Sequence, residues 1–252
     1  YISDTQGKRF DPNVVTITWA RRFADYNRAW LILMDRPRIE KLLNENKVQL
    51  IFAGKFHPDD KMGKEMFNKI LKQSYEMKNV VVLPGYELAL SAKLKKGTDI
   101  WLNTPLRPFE ASGTSGMSAN LNGALHFSTY DGWTVEGTFP GINGYTVEYP
   151  GLDDDIPWEE RHWKDHQCVM NTLENEIIPT YYENRSEWAR LMRQAKRTAE
   201  AYFNSDRMLI EYYNRVYKPI AHGGSQAGED EKSDTKIAEN PNLDAWTYSN
   251  IK

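Results

Sequence analysis

A chain of 252 residues has room for one large domain or two small ones, and for a substantial core. Its net charge of −3 gives no basic field for nucleic acid, and no apolar run reaches the roughly 18 residues that a membrane helix needs. A single cysteine, Cys168, excludes an internal disulfide; with no signal-peptide pattern at the start, a cytoplasmic location is expected.

The first half alternates short β-branched runs with amphipathic stretches. Strands are expected at 14–20, 48–54, 79–85, 99–105 and 124–130. Helical patterns lie between them: "ADYNRAWLIL" running on to "RPRIEKLLNE" with a break near 35–37, then "DDKMGKEMFNKILKQSYEM", then "ELALSAKLKKG", which ends in lysines and a glycine as a helix C-terminus should. Strands separated by helices predict an α/β fold with a doubly wound parallel sheet. After about residue 149 the character changes. "PGLDDDIPWEERHWKDH" is acidic and aromatic and reads as a connection; helices follow, interrupted at Pro179 and opened by Ser186 and Ser205 as caps. The expected organisation is a nucleotide-fold domain over 1–150, a connection and helices of the same domain over 151–220, and a polar, flexible tail over 221–252.

In such sheets ligands bind at the carboxyl ends of strands. Three segments stand there. "ARRFADYNR" places Arg21 and Arg22 side by side; paired guanidinium groups suit phosphate, and a solvated or salt-bridged pair is the plainer alternative. "AGKFHPDDKMGKE" holds Gly54 and Lys55 without the Ser/Thr that closes a P-loop, and His57 reads as structural. "EASGTSGMSANLNG" is a loop of small residues leading into a short helix. Small residues let backbone N–H groups approach a ligand, and a helix start offers unpaired donors. His162, His166 and Cys168 mimic a metal spacing but lack a fourth ligand, and the aspartates at 152–154 lack the EF-hand pattern, so no metal is expected. Eight tryptophans and fourteen tyrosines suit either a core with subunit contacts or a surface that stacks on sugars.

Taken together, "ARRFADYNR", "IFAGKFHPDD", "DIWLNTPLRPFEASGTSGM" and "LNGALHFSTYDGWTVEG" closely resemble the C-terminal half of the α-glucan phosphorylases, the glycogen and maltodextrin phosphorylase family, over about residues 12–219. The resemblance implies the second Rossmann-like domain of a GT-B glycosyltransferase, with an N-terminal half completing the cleft. It implies cleavage of α-1,4-glucan by phosphate and pyridoxal phosphate as cofactor, whose phosphate group assists the reaction. It also makes a homodimer possible. By position, Glu110, Ser112, Gly113 and Tyr26 would contact the sugar. Arg21 and Arg22 would hold the cofactor and substrate phosphates; Thr114 and Ser115 would donate to the cofactor phosphate, and Tyr86 would lie near its ring. Arg22 and Glu110 are the expected catalytic pair.

Two positions depart from the family pattern. The cofactor lysine is replaced by Ser118, which cannot make that covalent link, and a phosphate-binding lysine by Asn27. Phosphorolysis is therefore expected to be impaired, and the chain on its own to be inactive, because a cleft enzyme needs both walls. A cofactor-free transferase using a nucleotide sugar, and a non-catalytic glucan-binding or regulatory subunit, are the alternatives.

Overall fold

The computed structural model describes residues 2, 7–148 and 156–221. The aspartates at 152–154 and nearly all of the expected tail lie outside them. The chain divides into two compact units, Tyr1–Lys196 and Arg197–Lys252.

The first unit is built on a six-stranded, all-parallel sheet. Its strands are β1 (Val15–Ala20), β2 (Val48–Ala53), β3 (Val80–Leu83), β4 (Ile100–Asn103), β5 (Leu125–Thr129) and β6 (Gly144–Val147), in the spatial order β3-β2-β1-β4-β5-β6. Every strand residue is buried, the polar Thr16 and Thr18 of β1 and His126 and Ser128 of β5 included, as expected of a parallel sheet covered on both faces. Alternate side chains still part to two faces. Ile17, Trp19, Leu50, Phe52, Val82, Leu102 and Phe127 join one core, and Ala20, Ile51, Val81, Leu83 and Trp101 the other.

Helices cover both faces: α1 (Arg36–Asn44), α2 (Lys61–Glu76), α3 (Leu88–Gly97), α4 (Ser115–Leu121), the one-turn α5 (Thr134–Gly137), α6 (Trp158–Thr172) and α7 (Ile178–Glu183). Asp35 and Asp60 cap α1 and α2 by accepting from the N–H groups of Arg38 and Gly63. The doubly wound α/β reading of the sequence is the fold observed.

Several local expectations are corrected. "ADYNRAWLIL" forms two 3-10 turns, Asp25–Asn27 and Leu31–Leu33, because Arg28 between them takes a left-handed conformation at φ 46°. The acidic, aromatic connection becomes helix from Trp158 onward, and Pro179 sits in the first turn of α7 after a π-helical stretch, Leu173–Ile177. The helix α8 (Arg185–Tyr202) is capped by Asn184, not Ser186, since the Asn184 carboxamide accepts from the Glu187 N–H. Helix α9 (Ser205–Tyr212) is capped in the same way by Asn204 rather than Ser205. Strand β6 was not expected, being four residues long and opened by a glycine.

No helix among the described residues is long and apolar enough to cross a membrane.

Candidate functional site

Strand order reverses beside β1: β2 packs on one side of it and β4 on the other. This switch point opens a crevice at the carboxyl ends of β1 and β4, where loops must diverge. The loop after β1 carries Arg21 to Arg28, and the loop after β4 carries Thr104 to Thr114.

The two loops are tied together at several points. The Leu106 N–H donates to the Tyr26 carbonyl at 2.7 Å. The Thr104 hydroxyl bonds the carbonyls of Asn27 and Arg28 at 2.9 and 3.1 Å and accepts from Trp19 Nε1 at 3.1 Å. Arg28 is fully buried. Its guanidinium donates to the carbonyls of Thr104 and Pro105 and pairs with Asp165 of α6 at 2.7 Å, with His162 Nδ1 at 3.1 Å. Burial and the Arg28 charge both push the His162 imidazole down from its ordinary pKa. His166 points elsewhere, its Nδ1 bonding the Leu31 carbonyl at 2.8 Å. The two histidines that mimic a metal spacing are therefore both engaged in bonding α6 to the segment after β1.

Glu110 sits at the centre of the crevice. Its carboxylate pairs with Arg21, and both side chains are largely buried. Its own N–H donates to Asp131 Oδ2 at 2.9 Å, while Asp131 Oδ1 accepts from the Gly132 N–H at the same distance. The Trp133 N–H then donates to the Ser112 carbonyl at 3.1 Å. So two bonds join the loop after β5 to the Glu110–Gly113 loop, and the Gly132 N–H fixes the Asp131 carboxylate that makes one of them. Burial, the largest influence, raises the Asp131 carboxyl above its ordinary pKa, against the two backbone bonds that lower it.

Glycine is required where these loops touch. A Cβ on Gly132, whose φ is +59°, would stand 2.5 Å from the Ser112 carbonyl oxygen; a Cβ on Gly116 would stand 2.5 Å from the His126 ring and 2.8 Å from Trp133. Arg21, Asn103, Glu110, Ser112, Gly113, Ser128, Asp131 and Trp133 line one small cavity of about 10 Å³. A larger groove of about 460 Å³ lies between Phe10 and α3 and contains none of these residues.

Beneath the cavity, His126 is fully buried and stacked on Trp133 with ring centroids 4.6 Å apart. Its Nε2 meets the Asn103 carboxamide nitrogen at 2.9 Å and its Nδ1 the Thr138 hydroxyl at 3.1 Å. Burial, with the Arg21 charge second, lowers its pKa to about 3, so the ring is neutral.

The remaining sequence-selected residues lie around this centre. Arg22 is exposed. Asn27 is buried, with its amide nitrogen on the Arg22 carbonyl at 2.9 Å and its Oδ1 without a partner. Thr114 precedes α4 without a side-chain capping bond, and the Ser115 hydroxyl accepts from Trp101 Nε1 at 3.2 Å. Ser118 turns back on its own helix, its hydroxyl donating to the Thr114 and Ser115 carbonyls at 3.1 and 3.0 Å. The Tyr86 hydroxyl donates to Ser91 Oγ at 2.9 Å, and burial raises its pKa. The structure thus gathers Arg21, Glu110, Ser112 and Gly113 round one cavity and leaves Arg22, Tyr26, Tyr86, Thr114, Ser115 and Ser118 outside its lining. Asp131, Trp133, Asn103 and His126 were missed as site residues. The Asp-Gly pair ending a strand was the available signal for Asp131.

The family model for carbohydrate phosphorylases matches residues 1–138. The maltodextrin phosphorylase of Thermococcus litoralis is 44% identical over 212 residues, 82% of this chain and 25% of that protein. An uncharacterized protein of Methanocaldococcus jannaschii is 39% identical over 219 residues, 86% of this chain and 40% of its own length. The glycogen phosphorylase of Aquifex aeolicus is 37% identical over 225 residues, 85% of this chain and 32% of that protein. The chain therefore spans between a quarter and two fifths of the length of these relatives. The match of a phosphorylase model to more than half of the chain settles its kinship: the chain belongs to the carbohydrate phosphorylase family.

Proposed function

We propose that this chain is the C-terminal part of an α-glucan phosphorylase-like glycosyltransferase that acts on α-1,4-glucan, and that its pyridoxal-phosphate-dependent phosphorolysis is impaired. The observation that carries the reading is the contrast within one loop. Glu110 is held in place by Arg21 and by the Asp131–Gly132 turn, whereas Ser118 stands where the family keeps a lysine and bonds only to its own helix.

The chain's own residues suit a sugar. The Glu110 carboxylate accepts hydrogen bonds from sugar hydroxyls, and the Ser112–Gly113 backbone comes close to the ligand because neither side chain is bulky. Tyr26, on the loop after β1 that Leu106 ties to the loop after β4, would contact the sugar as well. Arg21 fixes the Glu110 carboxylate. Exposed Arg22 is free of that task and offers a planar fork for a phosphate of the substrate. Thr114 and Ser115 would face the cofactor phosphate and Tyr86 its ring.

The fit to a covalently held cofactor fails at two side chains. A serine hydroxyl is not an amine and makes no Schiff base, and the Asn27 amide brings no charge to the phosphate corner. No step is therefore routed through pyridoxal phosphate. The missing N-terminal half would supply the other wall of the cleft, and a homodimer and a cytoplasmic setting go with the family reading.

The test is glucose 1-phosphate release from maltodextrin and phosphate by the full-length protein. We expect none above background. Steady turnover would remove the claim of impairment. In its absence, transfer from a nucleotide sugar would point to a cofactor-free transferase, and glucan binding without transfer to a binding subunit.

A further inference from the structure

Helix α6 carries two histidines one turn apart, and their bonds outside the helix are of opposite sense. His166 Nδ1 bonds the Leu31 carbonyl, which only accepts, so that nitrogen carries the proton. His162 Nδ1 faces the Arg28 guanidinium at 3.1 Å, which only donates. That nitrogen therefore presents its lone pair, and the ring proton sits on Nε2. The His162 ring is neutral as long as this bond is made, and an added proton goes to the same nitrogen that makes it.

The bond stands at a junction. Arg28 is buried, and the same guanidinium donates to the Thr104 and Pro105 carbonyls, at the head of the segment leading to Glu110, and pairs with Asp165 of α6. His162, unlike the fully buried His166, is half-buried, edge-on to Trp30 with centroids 5.1 Å apart, so a proton reaches it from water without unfolding. Among the described residues, four charged groups act on it: Arg28 and Asp25 from the segment after β1, Asp165 and Glu159 from α6 itself. The three carboxylates favour the cation. Burial first, then Arg28, oppose it and prevail, holding the ring below the ordinary imidazole pKa of 6.5.

We propose that the Arg28–His162 bond is a pH-sensitive latch between α6 and the crevice loops. Protonation of Nδ1 removes the acceptor and sets an imidazolium against a guanidinium. The start of α6 then parts from Arg28, with Asp165 left to hold it, and the Thr104–Pro105 carbonyls are clamped less firmly. The unfolded chain takes up this proton first, so the latch's contribution is complete above about pH 6.5 and is lost as pH falls below it. The latch works whatever the crevice binds.

Hydrogen exchange of the full-length protein at about pH 7.5 and about pH 5, corrected for the pH dependence of the chemical step, tests it. Peptides spanning 104–110 and 158–166 should exchange about tenfold faster at the lower pH. In His162→Gln, whose carboxamide oxygen accepts from Arg28 at either pH, the acceleration should vanish. In His162→Lys, charged at both, exchange should be fast at both. Equal exchange in the parent protein at the two pH values overturns the latch. So does an acceleration that persists in His162→Gln, which would place the sensitive group elsewhere, as at His126. The ring also reports on itself where a variant fails to fold, because an imidazolium quenches an indole in contact with it. Trp30 emission, taken as the difference between the parent and Trp30→Phe, should drop with a single midpoint below pH 6.5. Flat emission through that range overturns the latch as well.

Discussion

Glu110 and Ser118 are eight residues apart in one loop-and-helix segment, and their surroundings differ in kind. Glu110 is held by groups distant in sequence: Arg21 after β1, and Asp131 after β5. Ser118 bonds only within its own helical turn. A side chain fixed from several elements keeps its geometry whether or not a ligand is present, which is what pre-organised recognition requires. A side chain bonded only to its own helix carries no such constraint. The Glu110 side of the crevice is thus tied to distant elements of the fold, and the Ser118 hydroxyl is not.

The contrast can be broken most severely at the glycines that let the loops meet. Gly132→Ala places a Cβ against the Ser112 carbonyl at a positive φ and should cost about 3 kcal/mol in urea unfolding, from left-handed strain plus the clash. A loss below about 1 kcal/mol would mean that the two loops are not in register as described.

His126 tests the same region through pH. Its folded pKa is about 3 and its unfolded value near 6.5, so the unfolded chain binds the extra proton between them. Stability should therefore be complete above pH 6.5 and fall as pH drops toward 3, with several kcal/mol at stake. His126→Asn should flatten that slope when unfolding is followed across the window. The flattening is partial, because His162 and His166 are shifted in the same direction, while the raised carboxyls of Asp99 and Asp131 act in the opposite one.

Glu110→Gln removes the charged partner of a mostly buried Arg21 and should destabilise by about 2 kcal/mol while weakening sugar binding. Ser118→Ala and Arg22→Ala complete the series, each expected within about 0.5 kcal/mol of the parent protein by thermal melting. A large loss in Ser118→Ala would show a long-range role for that hydroxyl and dissolve the contrast.

The sequence reveals the sheet clearly, because five of the six strands lie in short apolar or β-branched runs between amphipathic helices. It reveals Glu110, Ser112 and Gly113 through their motif. It hides Asp131, whose work is done on a backbone N–H 21 residues away. It hides Arg28 as well: an arginine in a left-handed conformation, buried among carbonyls, has no signature in composition or period. The caps at Asn184 and Asn204 were each displaced by a residue or two, because neighbouring serines are equally good cap formers and only geometry chooses between them.

The central claim is that this crevice keeps its sugar side and has lost its hold on pyridoxal phosphate. Cofactor retention tests it directly: incubate the full-length protein with pyridoxal phosphate, dialyse, and measure the remaining chromophore per chain. The unsubstituted protein should retain none, and the variant carrying Ser118→Lys with Asn27→Lys should retain close to one equivalent. A stoichiometric chromophore surviving dialysis in the unsubstituted protein would contradict the account.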